Sequence, residues 1–333
     1  MKNNENIKIL VVGGAGYIGS HMVKMLLDSQ YSVTTFDNLS SGHMDAVIGG
    51  DFIEGDLANS KELKKVFEGN TFDCVMHFAS HIQVGESIQN PKKYYENNLI
   101  NTLNLINQII ESNIKYFIFS SSAAVYGVPD FVPIIEEHNK NPINPYGNSK
   151  LMVENILTDF NVAYGLNFMS LRYFNAAGCD PDGLLGERHD PETHLIPLVL
   201  QAASGKRKNI QIFGTDYDTT DGTCIRDYIH VCDLCDAHIK SMQYLMNGGK
   251  SQSINLGNGS GFSVKQIIET AKKVTKRDFE VVFKDRRAGD PSSLVADSSK
   301  ARELLNWKPK YANLEEIITH AWNFEEKYSN GGK

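Results

Sequence analysis

The chain has 333 residues, 41% of them hydrophobic and 22% charged, an ordinary globular balance with enough apolar material for a large core. Its net charge of −7 lacks the basic footprint of a nucleic-acid binder, so any bound phosphates must be held by local devices. No apolar run approaches the ~18 residues of a membrane helix and no signal-like stretch follows the polar start, so a cytoplasmic protein of about two domains is expected.

Residues 9–12 (ILVV) predict a first strand, which runs into Gly13-Gly14-Ala15-Gly16-Tyr17-Ile18-Gly19. Gly14, Gly16 and Gly19 satisfy GxGxxG; Gly13, Gly16 and Gly19 satisfy GxxGxxG. Glycine permits a tight turn, close backbone approach to a pyrophosphate and close packing of helix on strand. The helix start then aims free N–H groups at the anion. A second strand, 33–36, ends at Asp37, 18 residues after Gly19. A carboxylate there accepts hydrogen bonds from the adenosine ribose and repels the extra phosphate of NADP, so the cofactor is read as NAD. The third strand, 52–54, leads to Asp56, placed near the adenine, and 74–78 is the fourth.

Leu99, Leu103, Ile106 and Ile110 recur at helical spacing, and strands 116–120 and 168–172 follow. Alternation of strand and helix predicts an α/β fold, a Rossmann-type doubly wound parallel sheet. The strand at 116–120 leads into Ser121, Ser122, Ala123 and Ala124, at the carboxyl edge where ligands bind in such sheets. Ser122 is a candidate partner for a substrate hydroxyl. Pro145 suits a helix start, and Tyr146 and Lys150, at i and i+4, share one face of that helix. A neighbouring ammonium and the positive charge of oxidised nicotinamide both favour the phenolate, which makes Tyr146 a general base near neutral pH. Lys150 is also placed to hold the nicotinamide ribose.

Near residue 180 the composition changes. Residues 179–193 and 209–222 read as loops, 227–245 as a short strand followed by a helix, and 264–275 and 314–328 as helices. The predicted division is 1–180, an NAD-binding Rossmann domain rejoined by part of 225–256, and 181–333, a smaller C-terminal substrate-binding α/β domain. The cysteines number five, scattered and odd, which fits reduced thiols. Cys232-Asp-Leu-Cys235, with His238 beyond it, lacks a second ligand pair, so no metal site is assigned.

Segments 13–21, 84–87 (VGES), 119–127, 145–154, 171–178, 221–234 (DGTCIRDYIHVCDL) and 286–290 (RRAGD) carry a resemblance that spans residues 9 to about 322. The chain resembles the extended short-chain dehydrogenase/reductase superfamily and, within it, the enzymes that epimerise UDP-sugars at C4. The resemblance implies interconversion of UDP-glucose and UDP-galactose through a 4-keto sugar, with Tyr146, Lys150 and Ser122 catalytic. It implies NAD contacts from Gly13, Gly16, Tyr17, Ile18, Gly19, Asp37, Asn38, Asp56, Leu57, Phe78, Ala79, Asn97, Tyr146, Lys150 and Tyr173. Substrate contacts are implied for Ser122, Tyr146, Asn175, His194, Leu195, Gln211, Phe213, Arg226, Arg287 and Asp290. It further implies a homodimer through helices around 92–111 and 148–163.

The chain departs from the pattern at three positions: Ile82 replaces a lysine that helps hold NAD, His194 an asparagine, and Ala124 a threonine. Leu294, intermediate in bulk, stands where N-acetylated sugars are thought to be gated. A 4,6-dehydratase would need proton-transferring groups at Ala123 and Ala124, and an NAD-sensing regulator would usually lack the Tyr146/Lys150 pair. The alternative within the family is a 4-epimerase of another UDP-sugar, N-acetylated, uronic or pentose.

Overall fold

The computed structural model describes residues 4–287 and 290–329. Its strands are β1 (Lys8–Val12), β2 (Ser32–Asp37), β3 (Asp51–Glu54), β4 (Cys74–His77), β5 (Tyr116–Ser122), β6 (Asn167–Tyr173) and β7 (Asn175–Ala177). There follow β8 (Asn209–Phe213), β9 (Ile225–Arg226), β10 (Tyr228–His230), β11 (Gln252–Leu256), β12 (Phe262–Ser263), β13 (Glu280–Lys284) and β14 (Ser293–Leu294).

β1 shows why both faces of the main sheet are covered. Ile9 and Val11 pack in one apolar cluster with Met22, Val23 and Leu26, while Leu10 and Val12 pack in another with Val66, Ile106 and Val153. Successive side chains of a strand point to opposite faces, so four consecutive buried apolar residues require a layer of helices on each side.

The seven-stranded sheet has the order β11-β6-β5-β4-β1-β2-β3, and its pairings are parallel. The chain winds outward from β1 through β2 and β3, then returns to β4 on the other side of β1. That reversal opens a crevice beyond the carboxyl ends of β1 and β4, the usual ligand position in such sheets.

After β7 the chain builds a third apolar cluster from Val199 and Leu200 on one helix, Ile267 and Ile268 on another and Ile317 and Ile318 on a third. The helix Val264–Thr275 is entered through a capping box, Ser263 with Gln266. The chain then returns to the main sheet twice. The helix Val231–Met246 buries Leu234, Cys235 and Met242 against the β1 cluster, and β11 pairs with β6 at the sheet edge.

Residues 209–222 are not all loop. β8 pairs in parallel with β13, burying Ile210 and Ile212 while Gln211 faces outward. The run is short, and its partner lies far along the chain, so its local pattern does not separate it from the polar loop that follows. Among the described residues no helix is long and apolar enough to cross a membrane.

Candidate active site

The glycine turn closes the end of β1. Gly13 has φ +82°, and a Cβ there would lie 2.5 Å from the Ala79 nitrogen. A Cβ on Gly19 would lie 2.0 Å from the Gly13 carbonyl oxygen, which is the close helix-to-strand approach that glycine permits. Gly16 differs: a Cβ there would meet protein only at the Gly13 oxygen, 3.5 Å away. Gly16 is the N-cap of the helix Tyr17–Asp28 and offers no side-chain cap, so the first N–H groups of that helix face open space. Ile18 packs on the β1 cluster, and the Tyr17 hydroxyl donates to the Gly178 carbonyl at 2.5 Å.

Asp37 ends β2 beside this turn. Its carboxylate accepts from the Ala15 N–H at 2.9 Å and the Leu39 N–H at 2.8 Å, which fixes its orientation and leaves lone pairs for a ribose. Asn38 donates to Asp56 at 2.7 Å, and Asp56 also accepts from the Ala58 N–H. Leu57 is buried next to them. Phe78 and Ala79 lie at the end of β4 against Gly13, with the Phe78 ring 4.9 Å from that of His238. The glycine turn, the open space at Gly16 and the oriented Asp37 fit a dinucleotide.

Asn97 lies on a π-helical turn, Tyr95–Asn101, that precedes the helix Thr102–Glu111. Its amide donates to Asn98, a buried residue that sequence reasoning missed. Asn98 accepts from the His81 N–H at 2.8 Å and donates to the His81 carbonyl at 2.9 Å and to Ser149 at 3.4 Å. It thus ties the segment after β4 to the helix that carries Tyr146. A π-turn is a single displaced residue within a helix, and a periodicity of 3.6 does not reveal it.

That helix, Pro145–Tyr164, starts with Pro145 at its first turn and Asn144 accepting from the Gly147 N–H at 2.8 Å. Ser122, at the end of β5, accepts from the Ala124 N–H at 3.1 Å, and its hydroxyl lies near enough to the Tyr146 phenol to favour the phenolate. Lys150 donates to the Ser80 hydroxyl at 2.7 Å and to the Ser120 carbonyl at 2.8 Å; Ser80 had no distinguishing signal in the sequence. Tyr173, ending β6, is half-buried in the same neighbourhood, near the Ser120 hydroxyl.

The electrostatics depart from expectation. Burial raises the Tyr146 phenol above its ordinary value, and the nearby Ser122 hydroxyl only partly offsets it. Burial also lowers Lys150 to about 7, against the pull of Glu154. The ammonium faces two oxygens other than the phenol, so in this geometry it does not make Tyr146 acidic.

Apart from Ser122 and Tyr146, the predicted substrate residues lie on the second half of the chain. Asn175, on β7, donates to the Asp227 carbonyl at 2.9 Å. Leu195 opens the helix Leu195–Ala203, with His194 as its N-cap. Gln211 and Phe213 are on β8, and the Arg287 guanidinium stacks on the Phe213 ring at 3.9 Å. Arg226, on β9, pairs with Asp290, so these two are neighbours rather than separate contacts. Leu294 packs on the cluster of Val125, Tyr126 and Ile134. His194 is not free to act alone: its Nδ1 faces Glu187 at 2.8 Å and Glu192 at 3.0 Å. Two buried brackets were missed. Arg172 forks onto Glu154 behind Ser121, and Asp227 accepts from the N–H groups of Asn258, Gly259 and Ala296. Ala288 and Gly289 of the 286–290 motif lie outside the described residues.

The family model described as "NAD dependent epimerase/dehydratase family" matches residues 9–257. The UDP-glucose 4-epimerase of Halalkalibacterium halodurans is 49% identical, covering 97% of this chain and 97% of its own. The crystal structure of UDP-glucose 4-epimerase from Brucella ovis in complex with NAD superposes with a TM-score of 0.93 at 47% identity, covering 96% of this chain and 98% of that one. That of the Bifidobacterium longum enzyme in complex with NAD+ and UDP has a TM-score of 0.91 at 38% identity, covering 97% and 99%.

Proposed function

This chain belongs to the NAD dependent epimerase/dehydratase family, and from that premise we propose that it interconverts UDP-glucose and UDP-galactose with NAD as its cofactor. The observation that carries the reading is the meeting of Ser122, Tyr146 and Lys150 beside the crevice at the ends of β1 and β4.

The chain's own groups divide the work. Gly13, Gly16, Gly19 and the uncapped helix start cradle the pyrophosphate, Asp37 takes the adenosine ribose, and Lys150 takes the nicotinamide ribose. Bound NAD supplies the hydride acceptor and donor at the sugar C4 and, when oxidised, a positive charge that favours the Tyr146 phenolate. Tyr146 accepts the proton of the 4-hydroxyl while Ser122 holds the same oxygen. The 4-keto sugar presents its other face, and Tyr146 returns the proton. Anchoring of UDP by Arg226, Arg287, Phe213, Asp290, Asn175, Leu195 and Gln211 leaves the hexose free to turn and keeps the intermediate from escaping. Binding energy at this remote end serves the reacting carbon without touching it.

The chain acts as a cytoplasmic homodimer in this reading. Ile100, Met152 and Val162 are exposed on the two helical segments assigned to the interface, and sedimentation at equilibrium tests it. Incubation of the purified protein with UDP-galactose, without added NAD, tests the function: UDP-glucose is expected. No conversion even with added NAD refutes the assignment.

A further inference from the structure

Four side chains converge within the loop between β7 and the helix Leu195–Ala203, and of these the resemblance implies a substrate contact for His194 alone. They are Glu187, His189, Glu192 and His194, and one ligand atom of each lies within 4.8 Å of all the others. Both imidazoles turn their Nδ1 to the same oxygen: Glu187 Oε1 is 3.0 Å from His189 and 2.8 Å from His194. Glu192 closes the group, 3.0 Å from His194 and 3.6 Å from His189. The two carboxylates are 6% and 5% exposed, so they are nearly removed from water.

We propose that this E-x-H-x-x-E-x-H segment is a binding site for one divalent transition-metal ion, zinc by ligand preference. Two imidazoles and two carboxylates form a four-coordinate set of the kind zinc takes. Ligand bonds of ~2.0–2.2 Å in a tetrahedron place neighbouring ligand atoms ~3.3–3.6 Å apart. The histidine–carboxylate separations of 2.8, 3.0 and 3.6 Å bracket that spacing, Glu192 offering Oε1 to His194 and Oε2 to His189, and the whole set draws in from within 4.8 Å. Charge balances as well: a dication with two neutral imidazoles neutralises two carboxylates, as two protons on the histidines would. Arg188, between two ligands, points elsewhere and forks onto Asp45 at 2.9 and 2.7 Å.

The ion acts as a structural clip. All four ligands come from eight consecutive residues in a segment without helix or strand. His189 packs edge-on to the Tyr17 ring of the cofactor turn, with centroids 6.2 Å apart. A cleft lined by Gly16, Tyr17, His43, Arg188 and His189 joins the two. Metal binding therefore ties this loop to the cofactor turn and sets the start of the helix Leu195–Ala203.

The test uses untagged full-length protein, stripped with a chelator, titrated with zinc chloride and passed through a desalting column. Close to one zinc per chain and a raised melting temperature are expected. X-ray absorption at the zinc edge should show a nitrogen/oxygen shell without sulfur. His189→Gln should lose at least nine-tenths of the bound metal, while Cys232→Ser keeps it. Less than a tenth of an equivalent of zinc, a sulfur shell, or loss of metal in the cysteine variant instead overturns the proposal. The absorption measurement on unmutated protein decides the matter even if His189→Gln does not fold.

Discussion

Lys150 stands one helical turn beyond Tyr146, with its Nζ 5.9 Å from the centre of the Tyr146 ring, yet its hydrogen bonds go to Ser80 and Ser120. The pair is thus a phenol near Ser122 and an ammonium held by two other oxygens, both in a nearly dry site. Burial disfavours the charged form of each. A positive charge brought beside the phenol, as oxidised nicotinamide would bring, would offset that penalty.

Tyr146→Phe removes the group proposed to carry the proton and leaves the ring packing intact. Turnover of UDP-galactose should fall by ~10²–10⁴-fold, the range for a general acid–base group, while folding and NAD content stay unchanged. A coupled assay and the absorbance of released cofactor check it. Unaltered turnover would place the proton path elsewhere.

Lys150→Met tests the cost of burying the ammonium. The folded-state pKa is lowered to about 7, so between about pH 7 and 10.5 the unfolded chain binds more protons and stability rises with pH. The penalty is fully present below pH 7, where a shift of this size corresponds to roughly 4–5 kcal/mol before the lysine's hydrogen bonds are counted. The variant should therefore gain stability relative to the parent at pH 6.5, and the gain should shrink at pH 9.5. Urea midpoints at the two pH values check the sign, and a gain that grows with pH contradicts it.

Gly19→Ala and Gly16→Ala should fail in different ways. A Cβ at 19 overlaps the Gly13 carbonyl, so the backbone must move, at a cost of about 1–3 kcal/mol or more. A Cβ at 16 meets open space, and its φ of −79° suits alanine. Gly16→Ala should keep the unfolding midpoint of the cofactor-free protein and lose NAD, because the methyl group would enter the space proposed for the pyrophosphate. Equal retention of NAD in both variants would remove this turn from the cofactor site.

Glu154→Ala leaves Arg172 charged and buried, with both partners of the pair about 3–5% exposed. Breaking such a pair from one side costs about 3–5 kcal/mol, whereas apolar replacement of both is often neutral. Chemical denaturation should show the single variant strongly destabilised and the double variant Glu154→Leu/Arg172→Met largely restored. Additive losses would mean that the bracket behind Ser121 is not a coupled pair.

Local features made much of this molecule legible from residues alone. Four buried apolar residues before a glycine turn, a carboxylate at the next strand end, and tyrosine and lysine at i and i+4 each depend on a backbone period or a short turn. The polypeptide imposes such periods wherever they occur. The parallel, doubly wound character of the sheet followed from the same alternation, whereas its strand order did not. Tertiary structure alone decided that Lys150 faces Ser80, that Asn98 holds His81, that Glu154 receives Arg172 and that Arg226 pairs with Asp290. Each of these joins segments remote in sequence, and the direction of a side chain across a crevice is set by packing rather than by spacing. Even Glu187, His189, Glu192 and His194, close together in the chain, converge only because the loop folds back against Tyr17; without a regular period, their spacing does not determine which way they point.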